Sequence, residues 1–103
     1  MIHYLKTDPN PFDAVALGLK THEIRYNDRN FVCGDILILQ RTQFTGAEMK
    51  EGKPLLYTGE SYAMRVTHIQ DGYGIKDGWA VLSVIECDDE YLMDAVLTAG
   101  MNR

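Results

Sequence analysis

The sequence predicts an α+β fold: a small open or closed β-barrel of five or six strands, with a short helix near the N-terminus and an amphipathic helix at the C-terminus. Three observations point there. The order is one strand, one short helix, then several strands separated by turns, which suits a small curled sheet with helices at its edge. At 103 residues with 46% of them apolar, the chain is long enough for one domain around one core. The final stretch, DDEYLMDAVLTAG, has an acidic start and apolar residues at helical spacing. Residues 1–87 are expected to form the barrel, and 88–103 an acidic helix packing on it or extending from it.

The elements follow in order. IHYLKT, Ile2 to Thr7, alternates as a strand. In DPNPFDAVALGLK, Asp8 or Asn10 can cap a helix, and Pro9 or Pro11 suits its first position, where no N–H is needed. Phe12, Val15, Ala16 and Leu19 recur at helical spacing, and Gly18 suits the left-handed residue that ends a helix of about two turns. HEIRY, with His22 leading Glu23 to Tyr26, alternates again. His22, Ile24 and Tyr26 share one face, with Ile24 and Tyr26 as core formers, and Glu23 and Arg25 share the other. NDRNFVCGD reads as turn chemistry. Ile36 to Gln40, Tyr62 to Gln70 and Trp79 to Glu86 read as strands, with the glycine-rich DGYGIKDG between the last two. The stretch 42–60 shows no sustained period and is either a functional loop or a twisted hairpin tip with LLY as a short strand. The tail places its acids at the favourable end of a helix.

The net charge of −5 excludes a protein that grips duplex nucleic acid by an overall basic field. Any such role rests on a local cluster. The acids concentrate in ECDDEYLMD, where Glu86, Asp88, Asp89, Glu90 and Asp94 meet no base. Cys33 and Cys87 are far apart and fall in no metal or redox spacing, so free thiols are expected. His3, His22 and His68 also lack ligand spacing, and neither a metal nor a cofactor is expected. MIHYLKTDP has no long apolar run and no basic lead-in; the expectation is a cytoplasmic protein without membrane contact.

The chemistry concentrates in GLKTHEIR, Gly18 to Arg25. Gly18-x-Lys20-x-x-Glu23-x-Arg25 resembles, position for position, the G-x-K-x-x-E-x-R signature of the ASCH superfamily, whose fold is PUA-like. LKTDPNPF, Asn27 to Arg29, VCGDILIL, YTGE, VTHI and DGWAVLSV also look like its small bacterial and phage branch, from about His3 to Glu86. The resemblance implies a cleft beside the first helix, lined by the signature residues, for RNA or a nucleotide-like ligand. Lys20 would reach a phosphate or carbonyl oxygen as a flexible point charge, and Arg25 would offer a two-pronged fork. Glu23 would hold that fork or accept from an exocyclic amine. Lys6 and Arg29 are further candidates for the cleft, and Tyr57, Tyr62, Tyr73 and Trp79 for stacking, with Tyr57 and Trp79 foremost.

The partner expected is therefore single-stranded RNA or a modified nucleobase or nucleotide. Two alternatives stand beside it. Some members resembling this chain are amidohydrolases that deacylate a modified cytidine such as N4-acetylcytidine, using a lysine, a threonine and a glutamate. Here Lys20 matches, Glu23 stands where the threonine belongs, and Thr21 is one residue after the lysine. The other alternative is a phage-borne interaction module that meets a protein partner through the acidic C-terminal helix.

Overall fold

A computed structural model describes residues 1–101. The fold is α+β: five strands in one sheet and three helices, in the order β1 (Ile2–Thr7), α1 (Pro9–Ala16), β2 (His22–Tyr26), β3 (Ile36–Thr42), α2 (Gly46–Lys50), β4 (Tyr57–Gln70), β5 (Trp79–Glu86), α3 (Asp89–Met101). Across the sheet the strands run β1-β3-β4-β5-β2. Only β1 and β3 are parallel; the other neighbours are antiparallel. The result is a half-barrel of the small PUA-like kind. Its free edges are β1 and β2, the two strands that α1 joins in sequence.

The core lies inside that curl. Leu5 of β1, Leu37 and Leu39 of β3, Met64 and Val66 of β4, and Ala80, Leu82 and Val84 of β5 meet Phe12 and Val15 of α1, with Phe31 from the β2–β3 turn. The alternation in β5 is clean, with Ala80, Leu82 and Val84 buried and their neighbours turned outward. In β4 the register slips between Val66 and His68. An extra residue there bends the strand and tightens the curl. Among the described residues no helix is long and apolar enough to cross a membrane.

The structure corrects the capping expected of Asp8 and decides between the two readings of 42–60. Asp8 stands at the N-cap position of α1, but its side chain does not cap that helix. Its Oδ1 accepts instead from the Gly46 N–H at the start of α2, 3.0 Å away. The stretch 42–60 contains α2, closed by a capping box in which Thr45 and Glu48 each accept from the other's backbone N–H. β4 then begins at Tyr57, opposite Thr42, so the hairpin reading holds with Leu55 and Leu56 just ahead of the strand. Arg41 of β3 and Arg65 of β4 are each engaged within the fold. Arg41 makes a two-pronged pair with Asp13, and Arg65 lies over the Tyr91 ring, 4.7 Å from its centre.

α3 attaches through its first turn. Asp88 accepts from the Tyr91 N–H, and the Tyr91 hydroxyl donates to Gly34 O at 2.7 Å. Met93, Val96 and Leu97 remain largely in water.

One buried carboxylate fixes how β1 enters beside β3. Asp35, 2% exposed, accepts from the Val32 N–H, from the Met1 amino group and from His3 Nε2, each at 2.9–3.0 Å. The His3 ring meets Phe31 edge-on at 4.8 Å. Burial pushes the Asp35 carboxyl upward, but the Val32 N–H, the Met1 ammonium and His3 outweigh it and hold the group below its ordinary value. A carboxyl lowered by folding stabilises fully above the unfolded pKa and loses that contribution as pH falls through the folded one. Asp35→Asn is therefore expected to cost about 1–3 kcal/mol near neutral pH. In urea unfolding at a series of pH values, the gap between variant and parent should close below the ordinary carboxylate range. A gap that stays constant into strong acid would contradict this.

Candidate functional site

The site is built where α1 ends and β2 begins. Gly18, at φ 76°, takes the left-handed conformation that releases the chain from the helix. The N–H groups of Leu19 and Lys20 still bond back to Ala14 O. The Thr21 carbonyl accepts from the Val84 N–H, which seats the start of β2 against β5. The register then pairs Glu23 with Leu82 and Arg25 with Ala80. Directly opposed residues of antiparallel strands point to the same side. Because Leu82 and Ala80 are core residues, Glu23 and Arg25 point inward. Ile24 and Tyr26 face out, 55% and 56% exposed, against the expectation that they form the core. Alternation groups residues by face; only the pairing decides which face is inside.

Glu23 is thus a carboxylate 3% exposed at the edge of an apolar core. Such a charge is tolerated only when paired and hydrogen-bonded. Lys20 Nζ donates to Glu23 Oε2 and also to His22 O. Arg25 Nη2 donates to Glu23 Oε1 at 3.2 Å. The same guanidinium crosses to the other free edge, donating to Lys6 O at 3.1 Å and to Thr7 Oγ1 at 3.2 Å. The buried Thr7 hydroxyl itself donates to Leu5 O at 3.1 Å. Arg25 therefore closes the seam between β1 and β2 with its side chain, where a closed barrel would use backbone bonds.

A recess of about 340 Å³ opens along this seam, lined by Lys6, Thr7, Asp8, Pro11, Lys20, Glu23, Ile24 and Arg25. Three cations face two carboxylates there, and Asp8 is already engaged with Gly46 N–H. Lys20 and Arg25 keep about a fifth to a quarter of their side chains exposed. Each retains N–H groups beyond those committed to Glu23 and the backbone. A second recess of about 290 Å³ continues past Arg25, sharing Lys6, Ile24 and Arg25 and adding Leu5, Tyr26, Asp28, Arg29, Phe31 and Trp79. A larger cavity, about 650 Å³, lies between the start of β1 and α3, but among the described residues Asp94 is its one charged side chain. Converging charge rather than size marks the seam as the candidate site.

Lys6, Lys20, Glu23 and Arg25 are brought together as expected, and Arg29 and Trp79 line the adjoining recess. Tyr57 opens β4 opposite Thr42 and Thr21 lies exposed on the link before β2; neither lines these two recesses. Tyr62 packs on the core and Tyr73 is 95% exposed in a turn. Thr7 and Tyr26 are functional candidates that the alternation pattern missed. Thr7 looked like an ordinary strand end, and Tyr26 like core. Among the described residues no three His, Cys, Asp or Glu side chains cluster as metal ligands.

This seam is the open edge of a small half-barrel domain. The chain belongs to the DUF3850 family, a domain of unknown function, whose model matches residues 2–84 and so takes in both recesses but not α3. No curated protein matches the chain.

Glu23→Ala would leave two cations facing each other over an apolar floor. The expected cost is about 1–3 kcal/mol, each kcal/mol lowering the thermal midpoint by roughly 4–8 °C in a domain of this size. An unchanged midpoint in a circular-dichroism melt would mean that the carboxylate is not buried between them.

Proposed function

We propose that this domain binds single-stranded nucleic acid, or a nucleotide, through the seam between β1 and β2. The observation that carries the proposal is the convergence of Lys6, Lys20 and Arg25 on one recess, over a carboxylate that fixes two of them. The whole chain carries −5, so the attraction is local and suits a short anionic segment better than a duplex. Arg25 presents a planar donor group to a phosphate or a base edge, and Lys20 a point charge beside it. Both Glu23 oxygens already accept from these cations, which favours its role as their holder over that of a base-edge acceptor. The likeness of the Gly18–Arg25 octet to the ASCH signature supports the same reading.

Hydrolysis of an acylated cytidine ranks behind binding. The position three after Lys20 holds Glu23, and the hydroxyl lining the recess, on Thr7, donates to Leu5 O while accepting from Arg25. That leaves its proton facing a carbonyl rather than a base. Incubation with N4-acetylcytidine is expected to release no acetate, and Lys20-dependent release would reverse the ranking.

Fluorescence anisotropy with short labelled oligonucleotides tests the binding directly. Lys20→Ala and Arg25→Gln should each weaken binding roughly ten- to hundredfold, the range for hydrogen bonds to a charged group. With two or three phosphates engaged, log K should fall against log salt with a slope of about −1.4 to −2.1, at about 0.7 per contact. Lys20→Ala should remove about one such step. No binding at low salt, or binding indifferent to both substitutions, would refute the proposal.

A further inference from the structure

Resting on that reading, we infer that the seam carries a second subsite, a base-stacking corner made by Tyr26 and Trp79, so that its ligand is a single strand of at least two nucleotides. Tyr26 and Trp79 are directly opposed across β2 and β5 and point to the outer face. Both leave large aromatic surface in water, 56% and 36% exposed. Their rings meet edge to face, with centroids 5.9 Å apart and planes at 69°. The Tyr26 ring also packs closely against backbone. A Cβ on Gly78 would fall 2.5 Å from the Tyr26 ring, so the ring rests on a backbone position that tolerates no side chain. Gly78 is itself held in the left-handed conformation, at φ 83°, and its carbonyl accepts from the Asn27 N–H. An aromatic surface fixed before binding loses little conformational freedom when a base stacks on it.

Position connects this corner to the charged recess. The recess that contains Tyr26 and Trp79 shares Lys6, Ile24 and Arg25 with the first one. Arg25 stands between the two, crossing the seam, and on the aromatic side Lys6, Arg25 and Arg29 outnumber the single carboxylate, Asp28. Each recess alone is near or below the lower bound of roughly 300 Å³ for small-molecule sites; together they form one track. A phosphate held at Lys20 and Arg25 would direct the adjoining nucleotide toward the ring of Tyr26. Positive charge flanked by aromatic faces, without a deep slot for one particular base, is the arrangement that binds single strands with little sequence preference.

Trp79 is the single tryptophan of the chain, so its emission reports on the corner directly. The test titrates the protein with uridine monophosphate and with uridylate and deoxythymidylate oligomers of about two to six units, following Trp79 emission and affinity. Oligomers are expected to quench the emission and to bind at least about tenfold tighter than the mononucleotide; these two readouts need no variant. Tyr26→Ala should weaken oligomer binding about 5- to 150-fold, the range for loss of one stacked base, while mononucleotide affinity stays within about twofold. Tyr26→Phe, which keeps the ring, should bind as the parent does. Oligomers that bind in a Lys20-dependent way, but without quenching and without sensitivity to Tyr26→Ala, would overturn the corner and leave the charged recess standing. Absence of Lys20-dependent binding by any probe would overturn both.

Discussion

The carboxylate of Glu23, buried between Lys20 and Arg25, is the interaction on which the rest of this structure depends. Taking a carboxylate out of water is costly, and the attraction of neighbouring cations offsets that cost only when the geometry is good. Here the geometry comes from three sources. The left-handed Gly18 turns Lys20 back toward β2. The pairing of β2 with β5 points Glu23 inward. The backbone of β1 supplies Lys6 O as a further acceptor for Arg25. Remove the carboxylate and both cations lose the group that orders them.

The open barrel explains why this cluster lies where it does. A sheet that stops at five strands leaves two edges with unused backbone groups, and natural proteins cover or charge such edges. This chain joins its edges with a guanidinium rather than with a sixth strand. A side-chain bridge leaves space on either side of itself, and the two recesses are that space. The same residue thus closes the fold and lines its groove, so positive charge is concentrated at the seam although the chain as a whole is acidic.

Much of the architecture was legible in the residues because local signals agreed with it. β1 and β5 have the limits that alternation gives, α1 spans the two turns between its prolines and Gly18, and the signature residues do converge on a recess. What escaped was set by tertiary pairing. HEIRY alternates equally well with either face inside, and the apolar pair Ile24 and Tyr26 was the natural choice for the core. The register with Leu82 and Ala80 places the charged pair there instead. The α2 helix had a readable start in Thr45-x-x-Glu48, but five residues are too few to show a period. Asp35 read as a turn residue, since nothing local announces that His3, far away in sequence, will meet it. In α3 the apolar spacing left open whether the helix packs on the barrel or extends from it; its described tether is at Tyr91, and Met93, Val96 and Leu97 stay exposed.

The central claim is that Glu23 holds the Lys20 ammonium and the Arg25 guanidinium ready for an anionic ligand. Nuclear magnetic resonance of the nitrogen-bound protons on those two side chains, recorded during titration with a uridylate trinucleotide, tests it most directly. Slowly exchanging signals are expected in the free protein, moving saturably with ligand, and they should be lost to rapid exchange in Glu23→Gln. Signals that are already averaged by solvent in the free protein, or that stay fixed while residues elsewhere respond to the ligand, would contradict it.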